Sequence, residues 1–193
     1  VNKVNLRNNV INNIEKNPII AAARKDEDIE YAVNSGVAAV FLLRTDIFSA
    51  ESHVGKIKAS GKNVFIHFEF FEGLGKDNKA IDYIANVIKP DGIITTRTSH
   101  VKYAEEKGIF TIQRFFIVDS QSYETAIKSV QTVKPSMIEI MPAVMPSIVQ
   151  RFCRDVNLPV IAGGLINSKE DIIDILKAGA LGVSTGKKEL WVL

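Results

Sequence analysis

The chain holds a single cysteine, Cys153, in 193 residues. A lone thiol has no internal partner, so a disulfide framework of the secreted kind is excluded and an intracellular protein is expected. Six prolines and twelve glycines are too few for a fibrous or low-complexity chain. Long apolar runs are missing as well. None reaches the ~18 to 20 residues of a membrane span, and the opening stretch "VNKVNLRNNVINNIEKN" has no apolar segment of signal-peptide type. Charge of one sign is not in excess either: 24 Lys+Arg face 22 Asp+Glu, a formal net charge of +2. That balance permits a nucleic-acid partner without requiring one. What remains is a cytoplasmic globular protein with 46% hydrophobic residues, enough for one sizeable core.

What the sequence does contain is repetition. Short runs rich in Val, Ile and Phe alternate with helical patterns: "PIIAAA", "AAVFLL", "NVFIHF", "DGIITT", "IFTIQRF" and "MIEIMP", followed by two more within "VIAGGLINSKEDIIDILKAGALGVSTGKKELW". Runs that are apolar on both faces read as parallel strands covered by helices. Gly or Pro marks most strand entries, and Ser168 with Asp171 forms a capping box at the start of the seventh helix. Eight such units predict a compact α/β (β/α)8 barrel of the TIM type, one domain over residues 1–193. A doubly wound open sheet is the second choice, disfavoured by the unbroken array. Residues 1–17 read as an extra capping helix, with Leu6, Val10, Ile11 and Ile14 on one side, closing the barrel bottom.

In this fold ligands sit at the C-terminal ends of the strands, which turns a strand list into a site list. The rim then carries His67 with Glu69, Arg97, Gln113 with Arg114, Glu139, Gly163-Gly164 and Ser184-Thr185-Gly186. Two small-residue turns on neighbouring strands near the end of the chain match a phosphate cradle, where bare backbone N–H groups meet an anion. Each residue also has a plain structural reading. Gly-Gly after a strand is also an ordinary turn, and His67 in an apolar run is equally a core histidine. Arg97 and Arg114 are equally ion-pair partners for Glu69 and Glu139. No lysine ends a middle strand to form a Schiff base, and no His/Asp/Glu cluster has strong metal-ligand spacing. Neither catalytic residues nor a metal are predicted. An isomerase, lyase or phosphodiesterase acting on a phosphorylated metabolite, with His67, Glu69 and Glu139 as its working groups, stands as the alternative.

Longer strings narrow the choice. "FEGLGKD", "PDGIITTR", "FTIQRFFIVDSQSYETAIK", "IEIMPAVMP" and "PVIAGGLINSKEDIIDILKAGALGVSTGKKELW" closely resemble the glycerol-uptake operon antiterminator regulatory family, in order, from Pro18 to Trp191. The resemblance implies a barrel that senses glycerol 3-phosphate as its effector, requires no cofactor, and binds the leader mRNA of glycerol uptake and utilisation genes. It implies that Gly163, Gly164, Ser184, Thr185 and Gly186 take the phosphate. It implies further that His67, Glu69, Arg97, Gln113, Arg114 and Glu139 frame the glycerol. Glu69 stands where the family often has aspartate, Asn167 where it commonly has arginine, and Gly186 where serine is more usual. For RNA the candidate cations are Lys56, Lys58 and Lys62 around the second helix, and Lys187 and Lys188 near the mouth. A homodimer would double such a patch.

Overall fold

A computed structural model describes residues 3–193. Eight parallel strands close a barrel: β1 (Ile19–Ala23), β2 (Ala39–Leu42), β3 (Asn63–His67), β4 (Gly92–Thr95), β5 (Phe110–Phe116), β6 (Met137–Met141), β7 (Val160–Gly163) and β8 (Gly182–Thr185). Each pairs with its neighbours in sequence, and β8 returns to β1. Helix α1 (Lys3–Lys16) precedes the barrel. Helices α2 (Asp26–Val33), α3 (Ala50–Ala59), α4 (Asn78–Tyr83, continued by a π turn), α5 (Thr98–Glu106), α6 (Ser120–Val133), α7 (Pro146–Asp155) and α8 (Lys169–Lys177) follow β1 to β7 in turn. The expected array is thus present, with one difference. After β8 comes only a 3-10 turn, Lys188–Leu190, and the fully buried Trp191 fills the gap. Its indole N–H donates to the Thr185 carbonyl at 2.8 Å, and its ring meets Tyr31 of α2.

Strand alternation divides the apolar residues into two layers. Ile20, Phe41, Phe65, Ile94, Ile112 and Ile161 fill the barrel, while Val40, Ile66, Ile93, Ile138 and Val183 pack under the helices. Val10 and Ile14 of α1 join the inner layer, each fully buried, with Leu6 and Ile11 half-buried beside them. Burial of two such side chains contributes about 1.5–3 kcal/mol each. Position 182, at the entry of β8, must lack a side chain for α1 to seat there: a Cβ on Gly182 would lie 2.8 Å from Ile14. Asn13 adds a hydrogen bond to Asn63 at the start of β3. Helix α1 therefore closes the N-terminal end of the barrel, as its pattern predicts, and leaves the C-terminal end for a site. Residues 1 and 2 of the expected capping helix lie outside the described residues.

The Ser168–Asp171 box is formed: Ser168 Oγ accepts from the Asp171 backbone, and Asp171 accepts from the Ser168 backbone. The third strand ends one residue earlier than its apolar run, at His67, because Phe68–Phe70 turns into a 3-10 helix. Two-residue strands, Thr45–Asp46 and Phe71–Glu72, tie the loops after β2 and β3 together on the rim. No described helix is long and apolar enough to cross a membrane.

Candidate functional site

The period of two decides which polar side chains enter the barrel. Phe65 points inward, and so does His67; Ile112 leads to Arg114, Met137 to Glu139, Ile161 to Gly163 and Gly182 to Ser184. The uppermost layer of the barrel interior is consequently polar. Arg114 Nε donates to Glu139 Oε2 at 2.6 Å, and Ser184 Oγ donates to Glu139 Oε1 at 2.5 Å. Glu139 is fully buried and Arg114 almost so. A buried carboxylate persists when a counter-charge and hydrogen bonds replace its lost water, and here both oxygens are engaged. The Arg114 Nη groups meet no protein acceptor among the described residues, which leaves them for the mouth.

Gly163 has a different reason to be glycine from the one its motif suggests. A Cβ there would fall 2.1 Å from Ser184 Oγ and 3.0 Å from Glu139 Oε1. Its missing side chain makes room for the Glu139–Ser184 bond. Gly164 has φ +81° and would place a Cβ 2.8 Å from Met141, so both backbone and space require glycine. Leu165 follows at φ +59°, unusual for a branched residue. Among the described residues, no acceptor meets the backbone N–H of Gly164, Leu165 or Gly186. Three bare donors thus lie at the ends of two hydrogen-bonded strands, β7 and β8. Ser184 has its hydroxyl turned to Glu139. The Thr185 side chain accepts from the Lys187 backbone, and that residue holds the turn in place.

His67 is buried, and loss of water, helped by the positive charges of Arg114 and Lys76, lowers its pKa to about 3. It is a neutral imidazole. Its Nδ1 lies 3.3 Å from Glu69 Oε2 without hydrogen-bond alignment, and both atoms are buried with no hydrogen-bond partner. The other oxygen of Glu69 accepts from Thr95 Oγ1 at 2.5 Å, with His100 Nδ1 3.6 Å away. Thr95 and His100 were not legible as site residues. The only signal was the position of His100, one turn past Arg97 at the start of a helix.

One expected member of the ring, Gln113, turns away from the mouth, and another, Arg97, stays on the rim without an ion-pair partner among the described residues. Gln113 precedes an inward residue, so it faces the helices, where its Nε2 donates to Ser129 Oγ at 2.9 Å and Thr98 Oγ1 at 3.3 Å. It therefore frames the α5–α6 contact and not the mouth. Arg97 is exposed at the N-cap of α5 and, among the described residues, makes no ion pair with Glu69 or any other carboxylate. The lysines separate into two groups. Helices run antiparallel to the strands, so Lys56, Lys58 and Lys62 lie toward the closed end of the barrel, whereas Lys187 and Lys188 lie at the mouth. Lys56 pairs with Glu30, Lys58 donates to the Lys89 carbonyl, and Lys62 donates to the Ser35 carbonyl. Lys188 pairs with Asp28 at 2.7 Å. They do not form one surface.

Chemically, this layer is suited to holding a small polar anion. Among the described residues no three His, Cys, Asp or Glu side chains are grouped to hold a metal ion.

Comparisons with known proteins show which family the chain is similar to. The chain is 35% identical over 180 residues to "Uncharacterized protein YgcP" of Escherichia coli (strain K12), covering 93% of this chain and 94% of that one. A glycerol uptake operon antiterminator regulatory protein from Listeria monocytogenes superposes with a TM-score of 0.86 at 35% identity, over 91% of this chain and 95% of that one. A glycerol uptake operon antiterminator-related protein from Thermotoga maritima gives 0.81 at 31% identity, over 91% and 98%. The family described as "Glycerol-3-phosphate responsive antiterminator" matches residues 19–191, and the chain belongs to that family.

Proposed function

We propose that this chain is a regulator without catalysis of its own, which binds glycerol 3-phosphate and, in response, the leader mRNA of glycerol uptake and utilisation genes in the cytoplasm. One observation carries the ligand: the unmet N–H groups of Gly164, Leu165 and Gly186 on adjacent strand ends, beside a guanidinium whose Nη groups are free. Such donors favour a dianion because they need no reorganisation to receive it. Gly163, Ser184 and Thr185 shape that cradle, and His67, Glu69, Arg114 and Glu139 supply polar groups for two hydroxyls. Membership of the family supports the effector and the antiterminator role.

The test is retention of in vitro transcribed leader RNA by the purified chain, with glycerol 3-phosphate, with glycerol and with neither. Retention should rise with glycerol 3-phosphate alone. Retention indifferent to the phosphate ester would overturn the reading.

A further inference from the structure

The loops around the mouth carry an unusual amount of exposed apolar surface. Phe70, Phe116, Val118, Val144, Met145 and Leu165 are all exposed, and each follows or ends a barrel strand, so all stand on the C-terminal face. Phe48, on the loop after β2, is 91% exposed. The loops that bear them are tied together. Ile117 N–H donates to the Met141 carbonyl and Ala143 N–H to the Gly163 carbonyl, which extends the β5–β6–β7 ladder into the rim. Ile47 N–H donates to the Glu72 carbonyl and joins the loops of Phe48 and Phe70. Leu165 holds its side chain 67% exposed from a left-handed backbone, a conformation that surrounding structure must enforce.

Several cations on this rim have side chains that no carboxylate among the described residues neutralises. The side chains of Arg97 and of Arg24, which directly follows β1, pair with no carboxylate among the described residues, and Arg97 follows β4, between the loops of Phe70 and Phe116. Lys187, after β8, reaches only the Asn167 carbonyl, at 3.4 Å. Glu51, Glu170 and Glu189 are exposed on the same face, while other loop carboxylates of the rim are engaged. Glu72 pairs with Arg44, Glu69 takes the Thr95 hydroxyl, and Asp119 and Asp171 cap α6 and α8. Arg97, set between the loops of two exposed phenyl rings, suits a polyanion with flat apolar faces.

We infer that the barrel mouth is the surface for single-stranded RNA, with bases stacked on Phe48, Phe70 and Phe116 and phosphates on Arg97, Arg24 and Lys187. A base can lie on a phenyl face only when it is unstacked, which selects single strands, loops or ends over a duplex. The inference rests on the RNA-binding reading above and adds where the RNA sits: across the effector pocket. The ring of Phe70 lies 4.6 Å from that of His67, so one exposed platform residue touches the polar layer directly.

The experiment compares wild type, Phe48→Ala/Phe116→Ala and Arg97→Gln for retention of the transcribed leader RNA across a salt series. The phenyl pair should weaken retention about tenfold or more while leaving the thermal shift with glycerol 3-phosphate intact. Arg97→Gln should lower the slope of log affinity against log salt by about one. Wild-type retention with both variants unchanged sinks the mouth as the RNA surface and leaves the RNA reading standing. No retention by wild type sinks the RNA reading itself. A wild-type dimer in sedimentation that Phe48→Ala/Phe116→Ala dissociates, with RNA retention unaltered, would assign the rim to a second copy instead.

Discussion

Arg114 and Glu139 form an ion pair inside the barrel, Nε to Oε2 at 2.6 Å, in the polar layer above its apolar interior. The pair joins β5 to β6, and Ser184 extends it to β8. It holds a charged guanidinium beneath the mouth, where an anion would be met.

Breaking that pair from one side should be costly. Glu139→Gln keeps the shape but leaves a buried guanidinium without its counter-charge, a loss of about 3–5 kcal/mol. In a domain of this size each kcal/mol lowers the melting temperature by roughly 2–4 °C. Adding Arg114→Met should recover most of the loss, because the stranded charge is gone. A double variant no more stable than Glu139→Gln would show that the pair is not what the site depends on.

His67 makes stability depend on pH in a stated direction. Its folded pKa of about 3 lies below the ordinary value of 6.5. Between these values the unfolded chain binds a proton that the folded chain refuses. The group's contribution is complete above pH 6.5 and declines as pH falls toward 3, by up to about 1.4 kcal/mol per pH unit. Urea midpoints from pH 7 to 4.5 should fall more steeply for wild type than for His67→Gln. Parallel curves would mean that His67 titrates normally.

Gly186 offers a cleaner probe of the cradle than Gly164. At Gly186 a Cβ meets only the Ala22 carbonyl, at 3.7 Å, whereas Gly164 is held at φ +81° against Met141. Gly186→Asp should therefore fold and place a negative charge beside the bare donors. Wild type at 100 times the dissociation constant should gain about 2.7 kcal/mol from glycerol 3-phosphate. That is a rise of roughly 5 to 11 °C, with almost none from glycerol. The variant should lose the rise. A full shift in Gly186→Asp would place the phosphate elsewhere.

Much of this was written in the order of residues. Eight apolar runs separated by helical patterns and Gly or Pro entries determine a parallel barrel, because each run can be satisfied only between two neighbours and beneath a helix. The stripe of Val10 and Ile14 determines that α1 has something to cover. The two small-residue turns mark an end of the barrel where backbone is bare. The direction of each side chain at the rim was decided only in three dimensions. Gln113 and Arg114 are adjacent in sequence and equally polar, yet the pleat sends one to the helices and the other to the pocket. Glu69 follows His67 by two residues, but the strand ends between them, and a 3-10 turn brings it to Thr95 and His100 from other elements. Gly163 is small because Ser184 and Glu139 meet where its side chain would be, a contact between residues 45 positions apart. Local pattern fixes period and burial; which polar atoms meet depends on the closure of the barrel, and no window of sequence contains that closure.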